Sequence, residues 1–188
     1  MEPIKTCYQT WQMMTDVAEN GPVRNFSQMI DMENYTVETD MFPEEVLKAY
    51  SDYNLEKPLT DAQKAFFNEA RGGKQGDYRD GMKRKIENVV DCMNRFPQSK
   101  RALITISNNP FPSHESDDDA KCMREIHFYQ EDGKLNASVL FRAQAAQIFP
   151  KNIHFIGSLM DEVASSLEPG LKLGALHYHT SILVSDRS

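Results

Sequence analysis

Cys122 and Arg142 stand twenty residues apart, at either end of CMREIHFYQEDGKLNASVLFR, with Asp132-Gly133 midway between them. Asp-Gly favours a tight two-residue turn, so the run predicts two strands, 125–130 and 135–141, folded against each other. Such a hairpin sets a thiol beside a guanidinium at its open end. A thiolate is a strong nucleophile and a good leaving group, and a nearby cation favours its formation. A guanidinium offers paired planar donors that suit a phosphate. Together they are equipment for covalent chemistry on a phosphorylated substrate. Taken alone, each has a plainer explanation: a free cysteine is often a buried, inert core residue, and an arginine at a strand end often just faces water.

The rest of the chain supplies the elements that must hold this pair. Tyr8, Trp11, Met14 and Val17 recur at helical spacing in 5–19, which Asn20-Gly21-Pro22 closes. Partial alternation over 27–39 suggests a strand. Pro43, Glu44 and Glu45 suit the first turn of a short helix through Ala49. Thr60-Asp61 opens another, with Ala62, Ala65, Phe66 and Ala70 as its apolar side. Residues 71–77 read as a linker or loop. Met82, Ile86, Val89, Val90 and Met93 define an amphipathic helix that ends before Pro97, and 102–107 reads as a buried strand. A polar loop with an acidic run, Glu115 to Asp119, follows. Ile156, Leu159, Met160, Val163, Ala164 and Leu167 form the strongest helical stripe, and 171–184 reads as a final long strand. Strands and helices without a βαβ rhythm predict an α+β packing.

Composition bounds the function classes. At 188 residues the chain suits one domain with a substantial core. A net charge of −7 argues against a broad nucleic-acid-binding face but leaves room for a local anion pocket. No apolar run reaches the roughly 18–20 residues that span a bilayer. MEPIKTCYQTWQ lacks the apolar core of a secretory signal, and three scattered cysteines suit a reducing compartment. These features predict a cytoplasmic protein without a membrane partner. His177 and His179 share one face of a predicted strand, half of a metal site, but no third ligand has matching spacing, so no metal is expected.

Between residues 97 and 174 the sequence resembles the thymidylate synthase superfamily. The family joins an apolar helix to Pro-x-Ser-Arg-Arg and a strand, then a loop, a nucleophilic cysteine, a Gln-Phe strand, an Asp-Gly-x-Leu turn, and a strand that ends in arginine. Here stand Pro97-Gln98-Ser99-Lys100-Arg101-Ala102-Leu103-Ile104, Cys122, His127-Phe128-Tyr129, Asp132-Gly133-Lys134-Leu135 and Arg142, with no gap from Cys122 to Arg142. The match over 1–80 is divergent: a helix, Asn20-Gly21, then Arg24 where the family has a phosphate-loop arginine.

The resemblance implies a single thymidylate synthase-like α+β domain over 1–188, a mixed or antiparallel sheet packed with helices and dimerising through the sheet. It implies one-carbon transfer to C5 of a pyrimidine nucleoside monophosphate (UMP, dUMP, CMP or dCMP), with 5,10-methylenetetrahydrofolate as donor and a methyl or hydroxymethyl product. Cys122 would be the nucleophile. Arg142 and Arg24 would grip the phosphate, joined by Lys100 and Arg101 of the second copy in a homodimer. Asn152 or His127 would read the base.

Several positions depart from the family. Arg-Ser-x-Asp becomes Arg142-Ala143-Gln144-Ala145, which drops a phosphate contact and a folate contact. The family's sugar-reading His-x-Tyr gives way to Leu183-Val184-Ser185-Asp186, and its C-terminal segment over folate has no counterpart in the 188 residues. Glu45 and Glu56 are the candidates for its catalytic glutamate. These departures favour a specialised relative over a housekeeping thymidylate synthase. They also keep two other classes open: a nucleotide-binding or structural homologue without catalysis, and an unrelated α+β interaction domain.

Overall fold

A computed structural model describes residues 3–73, 76–107, 109–115 and 119–186. The long strand β2 (Val23–Asp31) and the hairpin β4 (Met123–Glu131) and β5 (Lys134–Phe141) join β7 (Lys172–Val184) in one sheet. Short strands β1 (Lys5–Thr6) and β3 (Leu103–Thr105) lie at its edges, giving the order β1-β2-β7-β5-β4-β3, and β6 (Gln144–Ala145) pairs with the end of β7. The β5–β7 and β6–β7 pairs are parallel, while β2–β7, β3–β4 and β4–β5 are antiparallel. The architecture is α+β: an open mixed sheet packed with helices. Asp132 and Gly133 both have positive φ, the geometry that an Asp-Gly hairpin turn demands.

Alternation divides the sheet into two faces. Ile104, Ile126, Phe128, Val139, Phe141, Leu176 and Tyr178 are buried in the main core, where α1 (Cys7–Ala18), α4 (Met82–Arg95) and α5 (Phe149–Ser166) also bury their apolar sides. Core residues run from Cys7 to Leu183, so the divergent first part and the rest share one core. The other face presents Ser27, Met29, His127, Ser138, Leu140, His177 and His179, all half-buried or exposed.

Helix α5 is central. Phe149, Ile153, Phe155, Ile156, Leu159, Met160 and Val163 are completely buried, each contributing roughly 1.5–3 kcal/mol through burial. Gly157 lets Tyr35 cross the helix, since a Cβ there would sit 2.1 Å from the Tyr35 ring. The helix begins a full two turns before the sequence stripe at Ile156. Its first turns escape pattern reading because Lys151, Asn152 and His154 are polar yet buried.

Other expectations need correction. In α1 the buried stripe is Cys7, Thr10, Met14 and Ala18; Tyr8 and Val17 are exposed. The Thr6–Gln9 capping box sets the helix start, and Tyr8 packs on Trp11 at 5.6 Å on the outer side. The expected strand 27–39 is Val23–Asp31 instead. Beyond it, Asp31 and Asn34 side chains accept from the backbone N–H groups of Glu33 and Thr36, Asx-type turns that take over from ladder pairing.

The short helix at 43–49 extends as α2 (Glu44–Asn54), because Tyr50, Ser51 and Asn54 are also buried. The helix expected from Asp61 to Ala70 shrinks to α3 (Asp61–Lys64). Ala62, Ala65 and Ala70 are exposed, and small side chains recover too little burial to extend it. Asn68 then caps a separate 3-10 turn, Glu69–Arg71. The proposed loop at 71–77 and the acidic run fall partly on residues 74–75 and 116–118, outside the described residues. Among the described residues, no helix is long and apolar enough to cross a membrane, and no three His, Cys, Asp or Glu side chains are grouped to hold a metal.

Candidate active site

Cys122 immediately precedes β4, and Arg142 immediately follows β5. The Arg142 backbone N–H donates to the Cys122 carbonyl at 2.8 Å, which extends the hairpin ladder by one pair and sets the two side by side. A bulge between Met123 and Glu125 breaks the β4 register next to the cysteine; bulges of this kind re-aim side chains at strand ends. The Arg142 Nε donates to the Ala120 carbonyl at 2.9 Å, fixing the plane of the guanidinium. None of the three cysteines forms a disulfide.

Three buried phenols lie in the core near Cys122, Tyr78 at the residue next to it. Tyr78 stacks on Phe155 at 5.8 Å, and its hydroxyl accepts from the Met123 N–H at 3.4 Å. Tyr178 stacks on Phe141 at 5.3 Å. The Tyr50 hydroxyl donates to the Gly76 carbonyl at 2.6 Å. Gly76 has φ +74°, and a Cβ there would come within 2.3 Å of that hydroxyl, so the approach needs glycine. Burial pushes all three phenols well above their ordinary pKa. Negative charge on Cys122 adds to this as the next cause at Tyr78 and Tyr178, and as a smaller one at Tyr50. The phenols therefore stay protonated and uncharged at neutral pH.

A polar chain adjoins the aromatic stack. Gln144 donates through Nε2 to the Ala145 carbonyl at 2.7 Å. Its Oε1 accepts from the Tyr178 hydroxyl at 2.7 Å and from Asn152 Nδ2 at 2.9 Å. All three side chains are buried. Asn152 Oδ1 is cut off from solvent and has no hydrogen-bond partner, a state that costs about 1–3 kcal/mol unless a donor fills it.

Beside Tyr50 lies a half-open recess with about 10 Å³ of enclosed room, lined by Phe42, Tyr50, Phe66, Phe67, Arg71 and Lys151. Lys151 is buried; its Nζ donates to the Arg71 carbonyl at 3.1 Å and sits 4.7 Å from the centre of the Tyr50 ring.

The candidate residues thus separate into two groups. Cys122, Arg142 and Asn152 are drawn to one end of the sheet. Arg24 is the second residue of β2, opposite Ile182 of β7, and on the other side of β7 Phe141 lies opposite Thr180. Two strand spacings, roughly 10 Å, separate Arg24 from the Arg142 strand. Lys100, Arg101 and His127 are not brought to this site within the chain. Lys100 and Arg101 are exposed beside the far half of β4, where the Ala102 carbonyl accepts from Phe128. Six extended residues, roughly 20 Å, lie between that point and Cys122. His127 faces the side of the sheet away from the core.

Neither glutamate candidate enters the site. Glu45 is exposed on the first turn of α2, and Glu56 accepts from the Lys83 N–H at the start of α4 at 2.8 Å. The carboxylate whose charge reaches Tyr50 is Asp77.

Sequence reasoning missed Tyr50, Tyr78, Tyr178, Gln144 and Lys151 as site residues. Only the last two left a signal, as polar residues flanking Arg142 and Asn152 in apolar surroundings. Comparison with protein-family models and with curated proteins finds no match for this chain.

Proposed function

We propose that this chain binds a pyrimidine nucleoside monophosphate and activates its ring through a covalent bond from Cys122 to C6. The observation that carries this reading is Cys122 paired with Arg142 at the end of the hairpin, with the thiol packed against the aromatic core. Arg142, with Arg24, would take the 5′-phosphate through paired guanidinium donors. Asn152 would meet the base edge, and the phenols of Tyr78 and Tyr178 would exclude water from the sulfur.

In the first step the Cys122 thiolate forms the S–C6 bond, and the C5=C6 electron pair moves toward the ring's 4-substituent as an enolate or enamine. C5 becomes nucleophilic and takes a proton from water. Loss of the original C5 hydrogen, followed by expulsion of the thiolate, restores the ring. The net result is hydrogen exchange at C5, and water is the only co-reactant.

With an electrophile in place of the proton, the same adduct becomes a C5 methyl- or hydroxymethyltransferase. 5,10-Methylenetetrahydrofolate would supply the one-carbon unit. The recess beside Tyr50 has aromatic walls, but its cations already serve backbone carbonyls, Arg71 that of Met41 and Lys151 that of Arg71. The recess has only about 10 Å³ of enclosed room, about enough for one water molecule, so it does not hold the cofactor's ring as it stands. That shortfall, together with Ala143 and Ala145, supports a second reading: a nucleotide-binding homologue that has lost transfer.

The reading includes a homodimer formed through the helix-free sheet face, with Lys100 and Arg101 of the second copy completing the phosphate site. A tritium-release assay tests the enzyme. [5-³H]-labelled UMP, dUMP, CMP and dCMP are incubated with and without methylenetetrahydrofolate. Release that disappears in Cys122→Ala supports covalent catalysis. Phosphate-dependent binding without release selects the binding homologue, and neither binding nor release returns the chain to the interaction-domain class.

A further inference from the structure

His177 and His179 stand two residues apart on β7, so their side chains share the face of the sheet that carries no helices. Along the strand they are about 7 Å apart, close enough for both imidazoles to reach one ion at about 2.1 Å from each nitrogen. His177 is exposed and His179 half-buried. The His177 Nε2 lies 2.8 Å from the Ser27 hydroxyl of the neighbouring β2. That contact fixes the ring and leaves Nδ1 to bind, the part that an outer hydrogen-bond partner plays for metal-bound histidines. An imidazole pair suits zinc, copper or nickel. Zinc takes four ligands, and among the described residues no third His, Cys, Asp or Glu is grouped with the pair. His127 shares the face two strands away on β4, with its Nε2 cut off from solvent, and takes no part. Within one chain the site is half built.

A second copy holds the other half. β7 is the third of six strands across the sheet, so a two-fold axis near the middle of the face sets this pair against the same pair of the other copy. Sheets packed face to face stand about 10 Å apart, which puts an ion midway at roughly 5 Å from each, within reach of histidine side chains from both. Each chain carries a net charge of −7, so two copies repel, and a divalent cation held between them offsets part of that repulsion. We propose that His177 and His179 of two copies together bind one divalent transition-metal ion of the zinc type, which bridges the dimer. The proposal rests on the sheet-to-sheet homodimer of the functional reading and names what joins its halves.

The test adds zinc chloride or cobalt(II) chloride at pH 7.5 to the chelator-stripped protein and to His177→Gln, His179→Gln and Ser27→Ala. Bound zinc is counted by atomic absorption after gel filtration, cobalt geometry is read from visible absorption, and association is followed by sedimentation. The wild type should take up one zinc per two chains and show the strong visible bands of tetrahedral cobalt. It should associate at least tenfold more tightly with zinc than with EDTA. Either glutamine variant removes two of the four ligands, so uptake and the cobalt bands should both disappear. Ser27→Ala keeps all four ligands and frees the His177 ring, so affinity should fall about tenfold with the bands unchanged.

One zinc per chain without association, octahedral cobalt, or uptake that persists in the glutamine variants overturns the bridge. The stoichiometry and cobalt spectrum of the wild type need no variant to fold. No uptake beside a dimer that survives EDTA overturns the metal and leaves the dimer standing. A monomer with and without excess zinc removes both.

Discussion

On the core side of the sheet, Ile126, Phe128, Val139, Phe141 and Tyr178 are buried under helices, and at one end this packing opens onto Cys122. On the other side, strand register lines up Leu103, His127, Ser138, His177 and Met29 in one row, and Thr105, Glu125, Leu140, His179 and Ser27 in the next. Neighbouring residues of the same strands serve both faces, because successive side chains point to opposite sides. The faces nevertheless treat polar groups differently. Behind the site the polar groups are dehydrated and fixed by one another, as in the Tyr178–Gln144–Asn152 chain. On the open face they remain half-exposed, with His177 bonded to Ser27 at 2.8 Å. Preorganisation follows burial: a group with no water to turn to keeps the direction its neighbours impose. The covered face thus holds its polar groups in fixed directions, and the open face leaves them to solvent.

Five measurements would break or sharpen that contrast. The largest effect belongs to the thiol. Cys122→Ser should lower C5 tritium exchange at least 10³-fold, since an alcohol supplies almost no nucleophilic anion at neutral pH. Cys7 is the control on the same side of the sheet: completely buried, its pKa is pushed up to about 12, first by burial and then by Asp31. Iodoacetamide at pH 7.5 should therefore label Cys122 in the native protein, less when nucleotide is bound, and spare Cys7. Labelling of both at equal rates would erase the distinction between a site and a core thiol.

The next effect is on acid stability. His154 is buried between α5 and α2 with Nδ1 2.6 Å from the Ser51 hydroxyl. Burial, then the Lys48 charge, lower its pKa to about 4. An unfolded histidine titrates near 6.5, so between those values the unfolded chain binds a proton that the folded chain refuses. The stabilisation is complete above about pH 6.5 and is lost as pH falls toward 4, by up to roughly 3 kcal/mol. Urea midpoints from pH 7 to pH 4.5 should fall more steeply in the wild type than in His154→Gln. Parallel curves would mean that burial does not hold this imidazole neutral.

Arg142→Lys comes third. Exchanging a planar fork for a point charge should weaken nucleoside monophosphate binding roughly 10–30-fold while leaving the nucleoside little changed. Equal losses for both would remove the phosphate from its role. The smallest effect is on the other face. Leu140 is 36% exposed there, and Leu140→Lys should weaken self-association about tenfold, read by sedimentation, without altering the near-ultraviolet circular dichroism. A sedimentation profile unchanged by this charge would place any dimer contact elsewhere.

Residue spacing settled the hairpin. Asp132-Gly133 and the alternation around it mark both strands and their turn, and with the register fixed, Cys122 and Arg142 have to be neighbours. The stripe from Ile156 to Leu167 was legible for the same reason, since local period reports which side is buried. Tertiary structure alone decided that α5 starts at Phe149, that the helix after Thr60 is only four residues long, and that Tyr50, Tyr78 and Tyr178 are all buried in the core. Those phenols come from α2, the segment before α4, and β7. Contacts so distant in sequence leave no periodic trace, because they are fixed by how helices pack on the sheet. That Lys151, Asn152 and Gln144 are buried was illegible for a related reason. A polar residue in a core reads as surface until the partners that satisfy it are seen, and here those partners are brought in by β7, β6 and the chain at Arg71.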